Sequence, residues 1–140
     1  MSHYVCDLTT PSVDTYRALR RDTGLSEKNL AAAEKGLAGT LFAVQVLSDG
    51  ATVGMGRVVG DGGCFFQVVD IAVLKSHQGR GLGKVIMTEI MNYLAQAVPE
   101  SGYVSLIADG KANALYAQYG FVETAPKSVG MAYRQGPKAA

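Results

Sequence analysis

Residues 66–83 read Phe-Gln-Val-Val-Asp-Ile-Ala-Val-Leu-Lys-Ser-His-Gln-Gly-Arg-Gly-Leu-Gly, and this stretch decides the fold. A run of β-branched apolar residues passes through a short polar turn into glycines at 79, 81 and 83. Leu82, Val85, Ile86, Ile90, Tyr93, Leu94 and Ala97 then follow at helical spacing. A glycine-rich turn between strand and helix lets backbone N–H groups converge on an anion at the positive end of the helix dipole. Arg80 and Lys84 add charge suited to phosphate. The local physics is that of a pyrophosphate cradle.

Outward from this stretch, the pattern predicts one mixed α/β domain over residues 1–140. Tyr4–Leu8 reads as a short strand. Pro11-Ser12 opens a helix ending near Gly24, and Ser26 is the expected N-cap of a second helix through Leu37. Leu41–Leu47 and Ala51–Val59 are β-leaning runs joined by Ser48-Asp49-Gly50, a hairpin signal. The glycine-rich turn 60–63 leads into the strand Phe65–Leu74. Past the long helix and Pro99, Tyr103–Ala108 is a strand, and Asp109 the expected N-cap of a short helix Ala112–Tyr119. Phe121–Glu123 and Met131–Arg134 are expected to close the sheet as a hairpin. The sum is a mostly antiparallel twisted sheet of about seven strands flanked by about four helices.

Composition narrows the function classes. Thirteen basic against twelve acidic residues give a formal charge of +1, so no large field draws nucleic acid or a membrane surface. No apolar run approaches the length of a membrane span, and the first residues lack a basic-then-apolar signal pattern. Cys6 and Cys64 lie far apart without CxxC spacing, and reduced thiols in a cytoplasmic protein are expected. With His3 and His77 the only histidines and no His/Cys cluster, no metal site is expected.

The familiar glycine motifs fail letter by letter. A P-loop needs glycine five residues before its Gly-Lys, where this chain has Gln78, and Ser or Thr after it, where it has Val85. The dinucleotide fingerprint started at Gly79 meets Lys84, and started at Gly81 meets Ile86. Gln/Arg-x-x-Gly-x-Gly/Ala does fit, as Gln78, Gly81 and Gly83. That pattern resembles the coenzyme A pyrophosphate loop of the GNAT N-acetyltransferase superfamily. Residues 113–121, Asn-Ala-Leu-Tyr-Ala-Gln-Tyr-Gly-Phe, resemble a second segment of that family, matched at Asn113, Tyr116, Gly120 and Phe121. The resemblance spans about residues 2–135 and is most specific from 65 to 121.

The resemblance implies acetyl-CoA as donor and direct attack by an amine in a ternary complex. Backbone groups of Gln78, Gly79, Arg80, Gly81, Leu82, Gly83 and Lys84 would hold the pyrophosphate. Ile71, Ala72 and Val73 would offer a strand edge to pantetheine, with an amide near Ile71–Ala72 polarising the thioester carbonyl. Asn113 would contact the pantetheine arm, against the plainer reading of a local helix-end bond. Tyr116 would be the general acid for the departing thiolate, against a reading as helix packing. Asp70, a carboxylate inside Val-Val-Asp-Ile-Ala-Val, is either the base for the amine or a structural aspartate bonded to its neighbours. Water-mediated deprotonation also suits the family.

By the same analogy, Arg20, Asp22, Leu25, Phe65, Phe66 and the segment 124–131 would line the acceptor groove. The expected acceptor is a primary amine of a small molecule or peptide, with protein N-termini and lysines as an alternative. A homodimer is an assembly common in the family. Two rival readings stand beside this one: a non-catalytic acyl-CoA-binding module, and a binder of ATP or NAD through the same loop.

Overall fold

The computed structural model describes residues 3–137. By its internal packing the chain divides into two compact units, one up to Leu106 and one from Ile107 onward. The first holds a five-stranded sheet in the order β1-β2-β3-β4-β5. Its strands are β1 (Tyr4–Asp7), β2 (Phe42–Ser48), β3 (Ala51–Gly60), β4 (Phe65–Val73) and β5 (Tyr103–Ser105). Strands β1 to β4 pair antiparallel, and β5 pairs parallel to β4. Its helices are α1 (Val13–Asp22), α2 (Leu30–Ala38) and α3 (Leu82–Ala97). The second unit holds α4 (Asn113–Ala117).

Local chemistry sets most of these boundaries. Ser12 caps α1 by accepting from the Thr15 N–H, and the helix carries Asp14 in its first turn and Arg20 and Arg21 in its last, matching the helix dipole. Between β2 and β3, Asp49 and Gly50 take φ of 50° and 81°. Two left-handed residues in succession make a turn whose twist suits a tight hairpin. Between β3 and β4, Asp61 Oδ1 accepts from the amides of Gly63, Cys64 and Phe65. Those amides, Phe65 and Gly63 foremost, hold its carboxyl below the usual range.

The sheet is covered on both faces. Ile86, Met87 and Ile90 of α3 are fully buried, with α3 packed on β2, β3 and β4. Burying each such side chain is worth about 1.5–3 kcal/mol. Glycines in β3 let α3 approach: a Cβ on Gly56 would meet Ile71 Cδ1 and Ile86 Cγ2 at 2.7 Å. On the other face Tyr16, Leu19, Ala33 and Leu37 of α1 and α2 pack with Met55 and Ala72.

Five expectations need correction. The sheet has five strands rather than about seven, with four helices. No strand forms at 121–123 or 131–134 among the described residues, and Val122, Met131 and Tyr133 stand exposed. These runs are three or four residues long, and a strand that buries no face gains too little to hold its pairing. β5 stops at Ser105 instead of continuing to Ala108. Asn29, not Ser26, caps α2, its side chain accepting from Ala32 N at 2.8 Å. Asp109 does not cap α4, whose N-cap position is Ala112.

Candidate active site

β4 leads through a short 3-10 turn, Lys75–His77, into the glycine loop and then α3. Gly79 and Gly81 have φ of 79° and 78°, and a Cβ at either would meet nothing within 4 Å. The left-handed conformation costs an L-residue with a side chain about 1–2 kcal/mol, so glycine is chosen here for backbone shape rather than space. Gly81 is the N-cap of α3 and provides no side-chain cap. The first amide to return to the helix ladder is that of Val85, bonded to Gly81 O at 3.1 Å. The amides of the first turn thus open α3 at its positive end, with no side-chain cap from Gly81. Such a loop fits a pyrophosphate.

Side chains fix the loop from both sides. Gln78 Nε2 donates to Val73 O at 3.1 Å, tying the loop to the end of β4. Arg80 Nη1 donates to the Tyr4 hydroxyl at 2.8 Å, and that hydroxyl is bonded to His77 Nδ1 at 2.9 Å. Gln78, Gly79, Arg80, Gly81 and Lys84 are exposed, whereas the Leu82 side chain is core and leaves only its backbone for a ligand. The sequence did not single out Tyr4.

Upstream, β4 is bulged. Met55 stands opposite Ala72 and Arg57 opposite Val69, so Gly56 faces two residues, Asp70 and Ile71. Strict alternation would send residue 70 to the α3 face; the extra residue turns Asp70 to the α1 face and Ile71 onto Gly56. β5 pairs only with Phe65, Phe66 and Gln67. Beyond Gln67, the β5 side of β4 runs on without a paired strand among the described residues, and Ile71, Ala72 and Val73 lie on that stretch.

Asp70 itself has φ of +61° and a side chain 5% exposed. Its Oδ1 accepts from Arg20 Nη1 at 2.5 Å; its Oδ2 accepts from Arg57 Nε at 2.8 Å and from the Tyr16 hydroxyl at 3.0 Å. Arg20 also reaches Ser26, through Nε to its carbonyl and Nη2 to its hydroxyl. Arg57 Nη1 donates to Thr40 Oγ1 at 2.6 Å and to Gly36 O at 3.3 Å. Both guanidiniums lie within 6 Å of the Tyr16 ring centroid, as cations over an aromatic face. Burial, then the Asp70 carboxylate, push the Tyr16 phenol above its usual value, against the pull of Arg20 and Arg57. Arg57 and Tyr16 were missed, although Arg57 within Gly-Met-Gly-Arg-Val-Val is as conspicuous as Asp70 in its own strand.

The expected acceptor lining divides. Arg20 is committed to Asp70 and Ser26, Phe66 is core, and Leu25 packs on the α1/α2 cluster. Asp22 is exposed beside Arg21, and Phe65 is exposed against the Tyr103 ring. Residues 124–131 are exposed within the second unit.

In that unit Asn113 is the exposed first residue of α4. Tyr116 is half-buried against Phe121, ring centroids 6.4 Å apart, and its carbonyl accepts from the amides of Tyr119 and Phe121. Burial first, and the Asp109 charge second, raise its phenol above the usual value. Among the described residues no His/Cys/Asp/Glu group could hold a metal ion, and no helix is long and apolar enough to cross a membrane.

Residues 22–132 match the family model described as "Acetyltransferase (GNAT) domain". A protein of unknown function from meticillin-resistant Staphylococcus aureus, described as a probable acetyltransferase, has a crystal structure similar to this one. The TM-score is 0.90 at 47% identity, covering 95% of this chain and all of that one. A GNAT-family structure from Xanthomonas campestris pv. campestris matches with TM-score 0.76 and 28% identity, over 96% of this chain and 95% of that one. An uncharacterised N-acetyltransferase of Porphyra purpurea is 32% identical over 71 residues, which are 51% of this chain and 40% of that protein. The chain thus spans less than half the length of that curated relative. The extent of the family match and the high-identity structural likeness agree: this chain belongs to the GNAT family of N-acetyltransferases.

Proposed function

We propose that the chain transfers an acetyl group from acetyl-CoA to a primary amine of a small molecule or peptide, by direct attack while both are bound. The glycine loop carries the reading: two left-handed glycines precede an uncapped helix start, directly after a bulged strand with an unpaired side. The donor supplies an acyl group activated as a thioester. Backbone amides from Gln78 to Lys84 bind its pyrophosphate, with Arg80 and Lys84 adding charge. The β5 side of Ile71–Val73, without a paired strand among the described residues, holds the pantetheine arm, with Asn113 as a further contact. An amide at Ile71 or Ala72 bonds the acyl carbonyl; such a donor is worth about 3–4 kcal/mol of barrier.

Tyr116 is assigned the general acid. Its phenol carries a proton at neutral pH, as any tyrosine does, and would hydrogen-bond the leaving sulfur as charge grows there. Both oxygens of Asp70 already face donors, so amine deprotonation is assigned to water rather than to Asp70.

The test compares thermal stabilisation by acetyl-CoA, CoA, ATP and NAD, followed by an amine and peptide panel read by thiol release. Stabilisation by acetyl-CoA and CoA with thiol release on at least one amine is expected. Stabilisation by ATP or NAD alone sinks the reading, and acetyl-CoA binding without transfer reduces it to a binding module.

A further inference from the structure

We infer that the buried cluster of Asp70, Arg20, Arg57 and Tyr16 is a positioning device for the acyl carbonyl, acting through the bulge of β4. The inference rests on the coenzyme A reading above and goes beyond it by giving these four side chains a role in the reaction.

Bulge and cluster require one another. An extended β4 in the same register would aim residue 70 at α3, among Ile86 and Ile90, where a carboxylate has no polar partner. Only the inserted residue brings it to the face carrying Arg57, Tyr16 and Arg20. In return, three donors from α1 and β3 hold Asp70 in a left-handed conformation that a side chain ordinarily avoids. The φ and ψ of Asp70 orient the peptide joining it to Ile71, and so the Ile71 and Ala72 amides that follow. Gly56 leaves the room that Ile71 needs to lie flat beneath α3. Both guanidiniums are themselves anchored, on Ser26, Thr40 and Gly36, so the carboxylate is held by fixed partners. A preorganised amide suits a site where negative charge grows on a carbonyl oxygen. Asp70 is on this view a positioning residue.

The test needs no acceptor. The full chain is titrated calorimetrically with two inert thioethers of CoA: an acetonyl thioether, which keeps the carbonyl, and a propyl thioether of the same shape, which lacks it. Wild type is expected to prefer the acetonyl compound about tenfold, the worth of one hydrogen bond. Asp70→Asn tolerates the left-handed backbone but removes the charge; its preference is expected to fall to about twofold or less while propyl affinity stays within about threefold. Tyr16→Phe, which leaves both ion pairs in place, is expected to fall between the two, and decides alone if Asp70→Asn does not fold. Equal weakening of both compounds would show a merely structural cluster and overturn the inference. So would a full carbonyl preference in the variants, or none in wild type. If neither compound binds wild type, the coenzyme A reading falls and takes this inference with it.

Discussion

The stretch from Phe65 to Ala97 and the stretch from Asp109 to Phe121 both carry residues matched to the family, but only the first is tied into a core. In the first, Phe66, Val68, Ala72, Leu82, Ile86, Met87, Ile90 and Leu94 are buried, and Asp70 is held by three side chains from other elements. In the second no residue is buried, and α4 is five residues long, too short to persist by its own hydrogen bonding. The first holds the shape of the glycine loop through packing that also stabilises the unit. The second presents Asn113 and Tyr116 from a segment that contributes little to any core. Core substitutions in the first should therefore damage stability and cofactor binding together, whereas loss of the Tyr116 hydroxyl in the second should damage rate alone.

The largest expected effect is on stability. Ile90→Ala, beneath β3, is expected to lower unfolding free energy by about 2–5 kcal/mol in urea titration, with loss of acetyl-CoA binding at assay temperature. A loss under about 1 kcal/mol would place the core elsewhere. Next comes rate. Tyr116→Phe is expected to lower kcat about 100-fold, the lower end for a general acid, and to keep acetyl-CoA affinity within about twofold. A tenfold loss of affinity at unchanged kcat would make Tyr116 a binding residue and erase the contrast between the two stretches.

The same contrast governs what the sequence discloses. The glycine loop was legible because its requirements are local: glycine at left-handed positions and an apolar helix directly behind. The Asp49-Gly50 hairpin and the start of α1 after Pro11-Ser12 were legible for the same reason. The Asp70 cluster was half legible. An acid in an apolar strand announced itself, but its partners lie 13, 50 and 54 residues away and depend on a bulge that reverses one side chain. Ser26 misled for a related reason: its hydroxyl and carbonyl are taken by Arg20, and the cap falls to Asn29. The expected closing hairpin failed because a four-residue run such as Met131–Arg134 says nothing about what would cover its apolar side chains.

Within the first stretch, backbone shape can be separated from packing. At Gly81 an added Cβ meets open space, so Gly81→Ala carries only the cost of the left-handed backbone, about 1–2 kcal/mol. If bound cofactor needs that conformation, affinity for acetyl-CoA should fall about tenfold as the loop relaxes to a cheaper one. Unchanged affinity would mean that the left-handed turn serves chain reversal and not the ligand.

The smallest expected effect concerns pH and tests how tightly the first stretch is held. The Tyr16 phenol lies above its ordinary value of about 10, through burial first and then the Asp70 carboxylate. A raised value means that the folded chain holds this proton more tightly than the unfolded chain. Its contribution is then complete below about pH 10 and is lost as pH rises through the folded value. Tyr16→Phe has no proton to lose, but it forfeits the hydroxyl bond to Asp70, worth about 1–2 kcal/mol near neutral pH. The urea midpoints of wild type and variant should therefore lie apart at pH 7 and converge at alkaline pH. Tyr116 titrates in the same direction, but it is present in both chains and cancels from the comparison. A gap that widens with pH would mean that the phenolate is welcome beside Asp70. The two arginines would then outweigh the carboxylate at this point, and the tyrosine would be serving them as a counter-ion in waiting.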